Sequence, residues 1–371
     1  MRRSRSARLA AVGCLLGLTS AFLLPTVPAQ ADTVRAGQWY LGFLDVADAH
    51  RYSEGAGVTV GLVDTGVDGT HPDLTGSVLP GTALFPGATG DGQTDIDGHG
   101  TGMAGLIAGH GHGPNGQLGV LGIAPEATIL PVRSGEAFFA VGTVSAIQWA
   151  TSHGAKVISI SFSDSTSDDR ERQAVEDAIA HDVVVVAAVA NTPDRSPQYP
   201  AAYPGVVGVA GVDENGNHGS FSVGGPDVML SAPGADIITT DLSHGYSNST
   251  GTSDSTAIVA GTVALVRSRF PKLSAADVIH RLTATAIDKG PPGRDDLYGY
   301  GIVNLVGALT ADVPPLAASR SASSSGSLSI SPRAGRRSGS VGWTWLIIGL
   351  GALVGAIVLA AALSTRHRRP G

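Results

Sequence analysis

Apolar runs rich in β-branched residues alternate along this chain with stretches of helical pattern, and this alternation limits the possible folds most strongly. The apolar runs are at residues 58–63, 127–132, 157–163, 183–190 and 206–212. The helical patterns are at residues 141–152, 170–181, 256–267 and 277–287. Continuous apolar runs are typical of parallel strands buried on both faces. The alternation therefore predicts an α/β fold, with a mostly parallel sheet and helices on both of its faces.

Composition narrows the class of protein further. Of the 371 residues, 43% are hydrophobic and 51 are glycine, which suits a large α/β body with many tight turns. The net charge of −7, and a body without a basic stripe, argue against nucleic acid as a partner. The only cysteine, Cys14, lies in a segment that we expect to be removed, so the mature chain would have no disulfide.

The amino terminus has the three parts of a secretory signal peptide at residues 1–31. A basic start precedes an apolar segment at residues 9–24, and Ala-Gln-Ala at 29–31 predicts cleavage before Asp32. An uncleaved anchor is the alternative. A lipoprotein signal ending at Cys14 fits less well, because most of the apolar segment follows that cysteine.

The carboxyl terminus predicts a transmembrane helix at residues 341–363, which are 23 uncharged residues with Trp343 and Trp345 near one end as interfacial anchors. As a helix this segment is roughly 34 Å long. A buried core helix is the alternative, but only eight residues follow the segment. Residues 311–340, rich in Ser, Ala, Pro and Arg, predict a flexible linker. With the signal peptide, this pattern predicts an exported body anchored in the lipid of the cell membrane and a basic cytoplasmic tail at 364–371.

Four polar residues lie where predicted strands end or helices begin. Asp64 and Asn191 directly follow apolar strands, and His99 and Ser253 each precede an apolar helical stretch. Ligands of open α/β sheets bind at the carboxyl ends of the strands, so these residues could converge there. Each also has an ordinary alternative: Asp64 and Asn191 could be turn residues, His99 could be structural, and Ser253 could be only an N-cap.

Together the four residues provide the groups that nucleophilic catalysis by serine needs. A serine nucleophile requires a base within hydrogen-bond reach and an acid that orients the base. The oxyanion needs donors such as an asparagine amide and a backbone N–H. An esterase of the α/β-hydrolase type fits poorly, because the Gly-x-Ser-x-Gly elbow is missing and the residue order differs.

The motifs around these residues resemble those of the subtilases, the subtilisin-type serine peptidases. The motifs are Asp64-Thr65-Gly66, His99-Gly100-Thr101 and Gly251-Thr252-Ser253, in the family's Asp, His, Ser order. The resemblance covers residues 38–309. It implies a subtilisin-like peptidase domain at 58–310, hydrolysis through an acyl-enzyme, Asn191 as oxyanion donor, and no cofactor or metal. It also implies that a short segment pairs with the substrate backbone, namely Ser159, Ile160, Ser161, Phe162 and Ser163.

The overall organisation resembles one subgroup, the mycosins, which are membrane-anchored peptidases of actinobacterial type VII secretion systems. The shared features are the signal peptide, a short N-terminal arm at 32–57, the linker and the single C-terminal span. The segment at 97–109 also matches. This resemblance implies a protein or peptide substrate and association with a type VII secretion membrane complex.

The chain also departs from the family pattern. Subtilases usually have an apolar residue at Asp254, Pro at Ala257, His at Gly102, Gly at Ala190, and Ser-Leu-Gly at residues 161–163. The Asp254 carboxylate would disfavour the oxyanion if it faced the cleft, or would stabilise the helix N-terminus if it pointed outward. Mycosins typically carry cysteines, which the mature chain would lack. These departures leave open a weakly active or inactive subunit that acts as a scaffold in a secretion complex.

Two further polar segments have mainly non-catalytic interpretations. The acidic, Gly-rich segment at 91–97 could bind calcium, but its spacing matches no known loop and favours a solvated loop. His110 and His112 lie in a Gly-rich stretch, where solvated side chains are expected rather than metal ligands.

Overall fold

A parallel sheet is the centre of the computed structural model, which describes residues 33–316 except 86, 88, 136–141 and 194–195. The strands, in chain order, are β1 (Thr59–Asp64), β2 (Thr82–Ala83), β3 (His110–His112), β4 (Leu118–Leu121), β5 (Thr128–Arg133), β6 (Val157–Ile160), β7 (Val184–Ala188), β8 (Val207–Val212), β9 (Leu230–Pro233), β10 (Ile237–Thr240) and β11 (Tyr246–Ser249). The main sheet has the order β2-β5-β1-β6-β7-β8-β9, and all neighbouring strands are parallel. Two antiparallel pairs, β3 with β4 and β10 with β11, lie outside it.

Helices cover both faces of this sheet. They are α1 (Thr33–Gly37), α2 (Trp39–Phe43), α3 (Val46–His50), α4 (His99–Ala108), α5 (Thr143–Ser152), α6 (Asp169–Ala180), α7 (Thr252–Arg269), α8 (Ala275–Thr285) and α9 (Leu305–Thr310). Val184 and Val186 of β7 face the core that contains α4, α7, α8 and α9. Val185 and Ala187 face the core that contains α5 and α6. The predicted α/β architecture, with helices on both faces, is confirmed.

Helix α7 passes through the centre of the protein. Fifteen of its 18 residues are buried, so it contacts protein on all sides rather than presenting one polar face to water. Small side chains such as Ala257 and Ala260 allow it to pack closely against β6 to β9 and against α4. The helix predicted to start near Ser253 is therefore confirmed.

The arm formed by α1 to α3 packs against the body through buried side chains and through hydrogen bonds from its side chains to backbone groups of the body. Tyr40 is fully buried in the core. The Gln38 amide oxygen accepts a hydrogen bond from Leu121 N (2.9 Å), and its nitrogen donates to Leu121 O (3.0 Å). Trp39 Nε1 donates to Ala235 O over 3.1 Å.

The carboxyl end of the described chain also packs on the body. The Arg281 guanidinium donates to Ala308 O (3.0 Å) and Ala311 O (2.9 Å), and Leu316 N donates to Asp277 Oδ1 (2.8 Å). The first six residues of the predicted linker are therefore attached to α8. The remainder of that linker and the segments predicted at 1–31, 341–363 and 364–371 lie outside the described residues. Between residues 33 and 316, no helix of the described chain is long and apolar enough to cross a membrane.

Helix α4 packs closely against strand β10, because Gly102 and Gly105 lie on its contact face. Thr239 Oγ1 donates to Gly102 O (2.6 Å), and Thr240 Oγ1 donates to Thr101 O (2.7 Å). A Cβ atom on Gly105 would lie 2.2 Å from Thr240 Oγ1. The absence of side chains on this face thus allows the threonine hydroxyls to reach the helix carbonyls.

We expect Gly105→Ala to destabilise the protein by about 1–3 kcal/mol, because the added methyl group must push β10 away from α4. Urea unfolding of the purified residue 32–316 segment measures the loss. Gly42→Ala is the matched control, since a Cβ there meets no atom within 4 Å. Equal stability of the two variants would contradict the close packing.

Candidate active site

Strand β1 ends in a buried carboxylate, that of Asp64, at the point where the strand order of the sheet reverses. The chain adds β5 on one side of β1 and β6 on the other, so the carboxyl end of β1 faces a crevice of the type in which α/β proteins bind ligands. Asp64 is only 3% exposed. Its Oδ1 accepts hydrogen bonds from His99 Nδ1 (2.7 Å) and Thr65 N (2.8 Å). Asp64 and His99, which are 35 residues apart in the chain, are thus in direct contact.

This contact defines which nitrogen of the His99 ring carries the proton. A carboxylate only accepts hydrogen bonds, so Nδ1 carries a proton and Nε2 is the nitrogen that can take up another. Burial disfavours the charged imidazolium, but the Asp64 carboxylate outweighs burial. With smaller contributions from Asp254 and Asp97, it raises the pKa of His99 to about 9.

A second carboxylate, Asp95, holds the loop after β1 against the start of α4. It is buried and accepts five hydrogen bonds, from Thr65 Oγ1 (2.9 Å), Asp97 N (3.1 Å), Gly98 N (3.1 Å), Thr101 N (2.9 Å) and Thr101 Oγ1 (2.7 Å). The solvated loop expected at 91–97 is therefore wrong for Asp95, because the neighbouring backbone and hydroxyl groups enclose its carboxylate.

Asp95 acts as a positioning residue that the sequence reasoning missed. Thr65 Oγ1, which donates to Asp95, accepts a hydrogen bond from Gly100 N at 2.9 Å. This chain of contacts links the residue after Asp64 to the residue after His99. Its sequence signal was weak: an aspartate four residues before His99, with Thr65 directly after Asp64 and Thr101 two residues after His99.

Ser253 lies in the first turn of α7. The helix begins at Thr252 with Gly251 as N-cap, so the alternative that Ser253 is only an N-cap is wrong. First-turn N–H groups have no partner within the helix, and the Ser253 N–H is one of them. The Ser253 hydroxyl donates to Ser161 O over 2.9 Å.

Asn191 is bound to the residue that precedes Ser253. Its Oδ1 accepts hydrogen bonds from Thr252 N (2.8 Å) and Thr252 Oγ1 (2.9 Å). The backbone N–H can only donate, so the orientation of the amide is defined, and both Nδ2 protons point away from Thr252. The amide nitrogen is therefore available as a donor next to the start of α7.

The carboxylate of Asp254 neither points outward nor lies exposed in the cleft. It is 1% exposed, and its Oδ1 accepts a hydrogen bond from Ser249 Oγ at 2.6 Å. Burial raises the pKa of Asp254 to about 6, against the smaller opposing effects of Ser249 and His99. A helix N-terminus does benefit from an acidic residue, but here that residue is directed into the protein towards β11.

The segment predicted to pair with substrate divides into two parts. Ser159 and Ile160 lie inside β6, hydrogen-bonded between β1 and β7, so their backbones are not available to an added strand. This corrects the expectation for those two residues. Ser161, Phe162 and Ser163 follow the end of β6, and the Ser163 hydroxyl donates to Gln198 Oε1 at 2.9 Å.

The two histidines expected to be solvated lie in the short strand β3, where both are partly exposed and also make hydrogen bonds. His112 Nδ1 donates to the buried carboxylate of Asp73 over 2.6 Å, and His110 Nε2 donates to Thr75 O over 3.1 Å. Among the described residues, no group of three or more His, Cys, Asp or Glu side chains could hold a metal ion.

This fold and arrangement match known proteins. Residues 55–301 match the sequence profile described as the Subtilase family, and the chain belongs to that family of serine peptidases. Subtilisin DY of Bacillus licheniformis is 37% identical over 272 residues, which cover 71% of this chain and 94% of that protein.

Within the family, the chain is most like the mycosins. Mycosin-1 of Mycobacterium tuberculosis is 34% identical over 337 residues, covering 75% of this chain and 74% of mycosin-1. The crystal structure of MycP1 with its N-terminal propeptide removed has a TM-score of 0.66 at 32% identity, and the match covers 75% of this chain and 98% of that one. MycP3, a protease from the type VII (ESX-3) secretion system, has a TM-score of 0.63 at 32% identity, covering 74% of this chain and 88% of that one.

One departure from the family pattern leaves strain next to the site. Ala190 has φ +105°, a region that costs a residue with a Cβ atom about 1–3 kcal/mol. Subtilases usually have glycine at this position, and glycine adopts this conformation without that cost. The strain lies directly before Asn191.

We expect Ala190→Gly to raise the free energy of unfolding by about 1 kcal/mol, because relief of strain exceeds the added freedom of the unfolded chain. Thermal unfolding by calorimetry measures the effect. Ala188→Gly removes the same methyl group at a position without positive φ and should destabilise. If both variants lose stability equally, the strained backbone at Ala190 is contradicted.

Proposed function

We propose that this protein is a serine endopeptidase that hydrolyses peptide bonds through an acyl-enzyme. The observation that carries the proposal is the 2.7 Å hydrogen bond from His99 Nδ1 to the buried Asp64 carboxylate. Such a pair prepares Nε2 as a general base for a nearby serine. Ser253, in the first turn of the neighbouring helix α7, is the nucleophile.

In the proposed mechanism, Ser253 Oγ attacks the substrate carbonyl while its proton passes to His99 Nε2. His99 then donates that proton to the leaving amine. For this the hydroxyl must turn away from Ser161 O, its partner in this structure. Asp64 stays ionised and stabilises the imidazolium. Water later attacks the acyl-enzyme with His99 again as the base.

The developing oxyanion would be bound by the Asn191 amide and the Ser253 backbone N–H. The Asn191 oxygen accepts hydrogen bonds from Thr252, and these fix the orientation of the amide group. Nδ2 would therefore donate to the oxyanion without a rotation of the side chain that breaks those hydrogen bonds. The Ser253 N–H adds the positive end of α7. Residues 161–163, beyond the end of β6, would pair with the acyl side of the substrate.

We further propose that the peptidase domain is exported and anchored by the span at 341–363, with its tail in the cytoplasm. The relatedness to mycosins supports an association with a type VII secretion membrane complex, with a protein or peptide as substrate. The supporting sequence features are the signal peptide pattern at 1–31 and the basic residues at 364–371.

A scaffold role is the second candidate function. It is favoured by the buried Asp254 carboxylate, next in the chain to Ser253, which adds to the effect of Asp64 in raising the pKa of His99 and so disfavours the neutral form that acts as base. In this case the protein would support the secretion complex with little turnover. Secretion that persists at a normal level in cells carrying Ser253→Ala would favour the scaffold. Its loss in that variant would favour the peptidase.

We expect Ser253→Ala to lower kcat/KM for peptide hydrolysis by roughly 10³-fold or more, because the variant has no nucleophile. Cleavage of a fluorogenic peptide mixture by the full-length protein in detergent measures this loss. Ser268→Ala, on the exposed end of the same helix, is the control and should retain activity. Activity of Ser253→Ala near the wild-type level would contradict the proposal.

We expect kcat/KM to increase with pH through a pKa well above 6.5, because only neutral His99 can accept the serine proton and its pKa is about 9. Asp254→Asn removes one of the charges that raise this pKa and should move the midpoint to lower pH. Asp169→Asn, an exposed carboxylate on α6, should leave it unchanged. A midpoint near 6.5 in the wild type, or one unaffected by Asp254→Asn, would contradict this electrostatic account.

A further inference from the structure

A cavity of about 170 Å³ opens beside His99 and is separate from the residues that would bind the acyl half of a substrate. Its principal lining residues are Asp97, His99, Met103, Asp241, Ser247 and Ser249. A single water needs roughly 10–15 Å³ of such space, so the cavity has room for a long side chain.

The position of the cavity identifies the half of the substrate that could enter it. Residues 161–163 and Asn191, on the proposed acyl side, do not line it. His99, which would protonate the leaving amine, does. The cavity therefore lies on the side where the first residue after the cleaved bond leaves.

The chemistry of the wall favours a cation. Asp97 and Asp241 are among the lining residues, and no Lys or Arg is. His99 also lines the cavity, but it is neutral in the form that accepts the serine proton, so it does not repel a cationic substrate in the active enzyme. The Ser249 hydroxyl donates its proton to Asp254 Oδ1 at 2.6 Å, so it presents only acceptor lone pairs to the cavity. Met103 adds an apolar surface suited to the methylene stem of a long basic side chain.

The N-terminus of α4 does not reverse this preference. A helix start can attract anions through its N–H groups. Here those groups are already occupied: His99 N donates to Asp97 Oδ1, Gly100 N donates to Thr65 Oγ1, and Thr101 N donates to Asp95 Oδ2. Two of the three acceptors are carboxylates, and their negative charge offsets the positive potential at the N-terminus of α4.

We infer that this cavity is a subsite for a lysine or arginine side chain at the first residue after the cleaved bond. The inference rests on the proposed peptidase function and adds to it the chemical class of the substrate. Asp97 and Asp241 provide the charge, and Ser249, polarised by Asp254, provides an acceptor.

A set of peptides that differ only at this residue tests the inference on the full-length protein. Lys, Arg, Gln and Glu are compared there by kcat/KM, with the acyl half held constant. We expect Lys and Arg to exceed Gln by about tenfold, the effect of one partly screened charge pair, and to exceed Glu by more. The advantage should decrease as salt is raised, since exposed charges are screened.

Asp241→Asn separates recognition from catalysis. It should lose most of the Lys-over-Gln preference while hydrolysis of the Gln peptide continues. Asp169→Asn, with the same charge change on α6, should retain the preference. Equal rates for Lys, Gln and Glu, or an unchanged preference in Asp241→Asn, would overturn the inference.

Labelling of Ser253 with a fluorophosphonate distinguishes failure of the subsite inference from failure of the proposed peptidase function. The probe carries no residue after the reacting bond, so its reaction is independent of the cavity. Labelling without a charge preference would overturn the subsite alone. Absence of labelling in the folded wild type would overturn the peptidase function and the subsite with it.

Discussion

Burying a carboxylate costs free energy unless hydrogen-bond donors or an opposite charge stabilise it, and the organisation around Asp64 follows from that requirement. Asp64 is 3% exposed at the end of the central strand β1. Its compensation comes from the next backbone N–H and from His99, carried there by α4. The same interaction that makes burial of the charge tolerable also holds the His99 ring in one orientation and leaves its second ring nitrogen, Nε2, as the one that can accept a proton.

Maintaining this contact requires α4 to be placed accurately, and two sets of interactions achieve it. Asp95 joins the loop after Asp64 to the first turn of α4 through five hydrogen bonds. On the opposite side, the glycine face of α4 lets Thr239 and Thr240 reach its carbonyls. The site is therefore supported by a second layer of polar contacts, as preorganised catalysis requires. Asp254 adds a further charge that raises the pKa of His99.

Much of this architecture could be predicted from the sequence, because strands buried on both faces leave continuous apolar runs such as residues 183–190. The α/β class and helix α7 follow from that pattern. Strand β9 and the β10–β11 pair could not be predicted, since they are short and contain Ser, Thr and Pro. The role of Asp95 was also missed, because its partner Thr65 is 30 residues away and only folding brings them together. The orientation of Asp254 depends on Ser249, which is five residues away but belongs to β11, one of the strands that could not be predicted.

The central claim is that Asp64, His99 and Ser253 form one activated nucleophile. Mass spectrometry of the full-length protein after reaction with a fluorophosphonate tests it most directly. We predict a single covalent adduct on the peptide that contains Ser253, and its loss in His99→Ala as well as in Ser253→Ala. A folded wild-type protein without the adduct, or an adduct that forms equally fast in His99→Ala, would contradict the account.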